Sequence, residues 1–97
     1  MTGGVKMEKL AAVVERISEG DVLCFFRSPF DDRHDHYKFV VNAIYRTKDG
    51  KPDFYSVRNP KGITLVIKID MAAESEVLFI HKPSFVEKDS DGWHFKR

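Results

Sequence analysis

Asp32, His34 and His36 recur at every second position in the stretch "SPFDDRHDHYKF" (28–39). On an extended backbone that spacing projects all three side chains from one side. Two imidazoles and a carboxylate are the donors of a catalytic zinc that keeps one coordination position open, the arrangement for metal-dependent hydrolysis. The same residues have a plainer reading. Ser, Pro and Asp are turn formers, and no apolar alternation enforces an extended backbone across 31–36. A metal also needs each imidazole locked by a further hydrogen-bond partner, which a polar connection does not readily supply. The expectation is therefore a hydrated loop between two strands, with a metal site at Asp32, His34 and His36 as the rival. His81 and His94 are the only histidines outside this stretch.

Other chemistry finds little support. "GG" at 3–4 neither follows a strand nor leads into Gly-Lys-Ser/Thr, so no phosphate loop is indicated. None of the serines at 18, 28, 56, 75, 84 and 90 sits in a nucleophile-elbow context. The single cysteine, Cys24, lies in the apolar run "DVLCFF" and reads as a small core residue, unable to form an intrachain disulfide. A non-enzymatic protein without a cofactor is expected. Its 97 residues are 42% hydrophobic and 32% charged, which suits a soluble globular chain. No apolar run approaches the ~20 residues a membrane helix needs. Glu8, Lys9, Glu15 and Arg16 interrupt any secretion-signal core, so no membrane association and a cytoplasmic location are expected.

The elements that would position these residues follow from periodicity. Residues 1–4 read as a flexible lead-in. Met7, Leu10, Val14 and Ile17, with Val13 beside them, make an apolar stripe that predicts a helix over 5–19. Gly20 stands where a left-handed residue closes such a helix. Beyond it the period falls to two. Strands are predicted at 21–27, 37–47, 54–58, 63–69 and 77–80, with "KDGKPD" and "NPKG" as turns and "DMAAESE" as one helical turn. A meander over 21–81 and a terminal hairpin over 84–97 complete one domain spanning 1–97. The predicted class is α+β, mostly β: one amphipathic helix, then five to seven short antiparallel strands. Five short strands with a long first loop and a helical turn before the fifth resemble an SH3-like small barrel. The rival is a curved sheet covered by the helix.

Strand parity then points to a surface. With Phe39, Val41, Ala43 and Tyr45 on the core side, Lys38, Val40, Ile44 and Arg46 face outward, joined by Phe54, Arg58, Val66 and Lys68. A face mixing aliphatic, aromatic and basic residues has three readings. The N-terminal helix covers it; or a larger protein binds it, with Ile44, Tyr45 and Phe54 as anchors and Lys38, Arg46, Arg58 and Lys68 around them; or nucleic acid binds it. Residues 37–70 carry seven basic against three acidic side chains, which favours nucleic acid. An overall pI near 7.9 argues the other way. The expectation is a small accessory, regulatory or inhibitory module with a protein partner, ahead of a nucleic-acid-binding small barrel. In the tail "DGWHFKR", Trp93 and Phe95 share a parity and are expected to close one end of the core or to pair with Phe85 across the hairpin; the second possibility is an edge strand that pairs with another copy as a homodimer.

Overall fold

The computed structural model describes residues 7–27 and 37–97; Asp32, His34 and His36 lie outside the described residues. Strand accounts for 49% of what is described and helix for 13%. The N-terminal segment departs most from expectation. In place of a helix over 5–19, Glu8–Lys9 forms a short strand β1, Leu10–Val13 a single turn of helix α1, and Val14–Arg16 a 3₁₀ turn. Glu8 and Lys9 pair with Val77 and Glu76 of a later strand. The first helical amides are taken by tertiary partners, Leu10 N–H donating to Ser75 O at 2.9 Å and Ala11 N–H to Ala73 O at 3.0 Å. Backbone pairing across the fold thus displaces the helix at its start, and Ile17 returns to extended backbone at its end (ψ 134°). The stripe still does what its spacing requires: Leu10, Val13 and Ile17 are buried. Gly20, with φ +92°, belongs to the tight turn Ser18–Asp21, closed by Asp21 N–H to Ser18 O at 3.1 Å.

Strands β2 (Val22–Phe25), β3 (Lys38–Arg46), β4 (Pro52–Arg58) and β5 (Thr64–Lys68) form an antiparallel meander. A helical turn α2 (Ile69–Ala72) follows β5, and β6 (Glu76–Ile80) then returns to pair with β2. The sheet order is β1-β6-β2-β3-β4-β5, with β1 and β5 at opposite ends, so the sheet is open. A separate hairpin, β7 (Val86–Asp89) and β8 (Gly92–Phe95), ends the chain.

Two apolar clusters lie on the two sides of the sheet. The larger one gathers Leu10, Val13 and Ile17 with Leu23, Phe39, Val41, Tyr55, Val57 and Ile67. Here the helical stripe packs on the face that alternation assigns to the core, not on the outer face. The smaller cluster is built on Val22, Val40 and Val86, with Cys24, Ile80, Trp93 and Phe95 against it. The terminal hairpin, rather than the helix, therefore covers the outer face at β2 and β3, and Val40 is fully buried beneath it.

A β-bulge changes the face further along β3. Val41 pairs with Val57, but Ala43 pairs with Ser56, leaving Asn42 as the extra residue. One inserted residue inverts the parity of everything beyond it. Ile44 consequently packs against the larger core, and Tyr45 turns outward. The inserted Asn42 is anchored in turn, its Oδ1 accepting the Trp93 backbone N–H at 2.8 Å.

Candidate functional site

The hairpin stops short of the far half of the outer face, where β3, β4 and β5 run together. Register places Tyr45, Phe54 and Lys68 in one row across the three strands, and Ala43, Ser56 and Val66 in the next. Tyr45 and Phe54 stack, with ring centroids 4.7 Å apart and planes within 16°. Tyr45 is 49% exposed and Val66 55%. An exposed tyrosine stacked on a half-buried phenylalanine, beside an exposed valine, makes a contiguous apolar patch rather than the scattered single residues of an ordinary surface. Lys68 lies at its margin, its Nζ 3.8 Å from Asp53 Oδ1. Both of those side chains are about half exposed and the contact is long, so the pair leaves the charge of Lys68 accessible to a partner.

The remaining residues of the predicted surface are dispersed. Ile44 is turned to the core by the bulge. Lys38 is exposed but pairs with Cys24, on the other side of the hairpin-covered rows. Arg46 donates to Gly50 O at 3.1 Å, tying its own turn. Arg58 acts as a clamp: Nη1 donates to Trp93 O at 3.2 Å, Nη2 to Asp91 O at 2.7 Å, and Nε approaches Thr64 Oγ1 at 3.3 Å. Its guanidinium holds the hairpin onto the sheet rather than serving as the rim of a binding face. Tyr45, Phe54 and Lys68 stay together; Ile44, Arg46, Arg58 and Lys38 leave the group. Val66 enters it, an outward residue that alternation already places beside them.

Three polar positions that residue type alone does not single out shape this surface. Asp21 is fully buried, and its carboxylate accepts from Ser18 N–H at 2.8 Å, Ser18 Oγ at 3.2 Å and Lys82 N–H at 3.1 Å, with His81 Nδ1 3.0 Å away. It joins the turn before β2 to the connection leading into the hairpin. Asn42 holds the hairpin from beneath. Asn59 Oδ1 accepts from Lys61 N–H and Ile63 N–H, both at 3.0 Å, and shapes the β4–β5 turn. Only the spacing Ser18-x-x-Asp21 hints at the first in the sequence.

An open groove of about 880 Å³ runs between the β4–β5 turn and the hairpin, lined by Lys61, Thr64, Asp89, His94 and Arg97 among others. His94 Nε2 lies 2.7 Å from Asp89 Oδ2, a contact of the kind that orients a catalytic base. Its chemistry here is different. The other nitrogen, Nδ1, faces Phe95 O at 3.1 Å, so both ring nitrogens meet acceptors. The Phe95 carbonyl first, then Asp89, hold the imidazole above its ordinary pKa. Both contacts favour the protonated ring, and the Asp89 contact ties β8 to β7. Cys24, half-buried, has its thiol pushed up by burial, against a smaller opposing effect of Lys38, which does not favour a thiolate nucleophile. Among the described residues no group of three His, Cys, Asp or Glu side chains converges as a metal requires, and no helix is long and apolar enough to cross a membrane. Comparison with known proteins matches no family model, no curated protein and no solved structure.

Proposed function

We propose that the chain is a small non-catalytic binding module, an accessory, regulatory or inhibitory protein of the cytoplasm, that docks on a larger protein through the outer face of β3, β4 and β5. The observation that carries this reading is the uncovered Tyr45–Phe54 stack beside Val66, on a face whose other half the terminal hairpin closes. Aromatic residues lose little conformational freedom on binding and dominate interface energetics. A meander, a helical turn and a last strand returning beside the first also support kinship with SH3-like small barrels, opened here between β5 and β1.

Nucleic acid is the second reading, kept by Lys68 in one row with the exposed ring of Tyr45. It is weaker because Arg58 and Arg46 of the basic segment are engaged within the chain, and because Tyr45 and Phe54 lay their faces on each other. The test is affinity capture from nuclease-treated source lysate with wild type and Tyr45→Ser, both first shown to melt alike. A specific protein recovered by wild type and reduced about 30-fold or more for Tyr45→Ser, as truncating a ~2 kcal/mol anchor would do, supports the proposal. Equal recovery by both overturns it. Oligonucleotide binding that collapses steeply with added salt would transfer the face to nucleic acid.

A further inference from the structure

We infer that the partner engages this module by strand addition, laying an extended segment that carries an acidic residue along the free edge of β5. The inference rests on the protein-binding reading of the neighbouring face and specifies how that face is reached. β5 is the terminal strand of the six-stranded sheet, and among the described residues no strand lies along its other side. Its pairing with β4 is regular from Arg58↔Thr64 to Phe54↔Lys68, without a bulge to twist the edge away. The opposite end of the sheet is blunted: β1 has two residues and runs directly into α1. Natural edges are protected by shortness, bulges, prolines or charged side chains, lysine above all, and within Thr64–Lys68 the one such feature is the terminal Lys68.

The direction of the free backbone groups follows from the turn. Asn59 N–H donates to Ile63 O at 3.0 Å, which makes 59 and 63 a hydrogen-bonded pair. Antiparallel ladders alternate, so Leu65 and Ile67 bond to β4, while the N–H and C=O groups of Thr64, Val66 and Lys68 point away from it. Those three residues are also the exposed ones, whereas Ile67 is buried and Leu65 half-buried. A strand added here continues the rows already described. Its outward residue beside Val66 extends the apolar patch, and its outward residue beside Lys68 completes the row that begins with Tyr45 and Phe54. Cross-strand neighbours of a lysine favour a carboxylate, and Lys61 adds positive charge at the start of the edge.

A second copy fits these observations less well. Five residues of strand are ~17 Å long, and with a sheet thickness of ~10 Å edge pairing buries far less than the ~800 Å² per partner of a stable interface. Two copies joined edge to edge would also form one continuous sheet, leaving both Tyr45–Phe54 patches side by side and uncovered. A partner that pairs with β5 and then folds over the patch meets both requirements.

The experiment selects binders to the full chain from a display library of randomised linear peptides, followed by amide hydrogen exchange on the wild-type protein. Val66→Pro is the discriminating variant. It removes an N–H facing the free edge and no ladder bond to β4, a position where edge strands tolerate proline. Val66→Thr is its control. Support consists of enriched peptides with apolar and acidic residues two apart, slowed exchange at Thr64, Val66 and Lys68, and binding weakened about tenfold or more by Val66→Pro but not by Val66→Thr. Should Val66→Pro melt early, the exchange pattern decides alone. Binding that survives Val66→Pro but not Tyr45→Ser overturns strand addition while leaving the face reading in place. A wild-type dimer in sedimentation that Val66→Pro makes monomeric assigns the edge to a second copy and overturns the inference equally.

Discussion

Asp21→Ala is expected to be among the most damaging single changes available in this chain, although the residue lies far from the proposed binding face. Its side chain is fully buried and accepts the Ser18 backbone N–H at 2.8 Å and the Lys82 backbone N–H at 3.1 Å, besides the Ser18 hydroxyl at 3.2 Å. His81 adds little, because its ring is 68% exposed. Removing the carboxylate leaves two backbone donors unpaired, and each orphaned donor costs roughly 1–3 kcal/mol. Ser18 is half-buried and Lys82 exposed, so water reaches part of this site and the lower part of that range applies. The expected loss is about 2–4 kcal/mol, against a total of roughly 5–15 kcal/mol for a domain of this size. Urea denaturation followed by Trp93 fluorescence measures it, since Trp93 packs against Gly20 in the turn that Asp21 closes. A loss under ~1 kcal/mol with an unchanged m-value would show that the buried carboxylate is incidental, and the account of the hairpin's anchoring would fail with it.

Three further outcomes follow from the same geometry. Gly20→Ala introduces a Cβ 2.8 Å from the indole Cζ2 of Trp93 at a residue with φ +92°, so strain and overpacking together should cost about 2–5 kcal/mol, seen as a lowered Tm with red-shifted Trp93 emission. Asn42→Ala removes the acceptor of the Trp93 N–H and should cost about 1–3 kcal/mol, with exchange accelerating first at the hairpin amides; uniform acceleration across the sheet would count against a local tie. The hairpin should also respond to pH. Asp89 is held below its ordinary 3.8, chiefly by the Asp91 backbone N–H, so its stabilising contribution exists above that value and fades as pH falls through the depressed one. His94 is raised above 6.5, chiefly by the Phe95 carbonyl, so its contribution is complete below that value and is lost as pH rises through the raised one. The hairpin should therefore be most stable between about 3.8 and 6.5, and His94→Gln should flatten the alkaline side; an unchanged alkaline limb would assign it to another group.

Alternation was legible wherever one residue type dominated one parity. Leu65 and Ile67 point inward, Thr64, Val66 and Lys68 outward, and the strand and its exposed valine follow from that pattern. The bulge at Asn42 was not legible, because Val40, Val41, Ala43 and Ile44 are apolar on both parities and nothing local marks where the count slips. That one slip moves Ile44 out of the expected contact group and turns Tyr45, which parity alone puts on the core side, to the outer face beside Phe54. The helix failed for a different reason. An apolar stripe reports which residues are buried, not which hydrogen bonds their backbone makes, and Glu8–Lys9 found partners in β6. Arg58 reads as a rim cation by type and parity, but its role depends on two carbonyls more than thirty residues away, at Asp91 and Trp93.

Asn42 and the hairpin also explain why the candidate site lies where it does. Without the bulge, Tyr45 would turn to the core and Ile44 would take its place outside, leaving no partner for the ring of Phe54. Without the hairpin, Val22, Val40 and Cys24 would be open as well, and the exposed apolar surface would run the length of the sheet. Such a surface invites unspecific association. The Asn42 side chain couples the two features, since the residue that creates the bulge is the one whose Oδ1 holds the Trp93 backbone. At Gly92, next to Trp93, a Cβ would press on that same Oδ1 and displace the Asn42 side chain from its hydrogen bond, and the φ of +108° favours glycine independently. The extent of the patch is thus set at one contact. The hairpin covers the sheet up to the bulge, and the bulge turns Tyr45 outward immediately beyond the covered part.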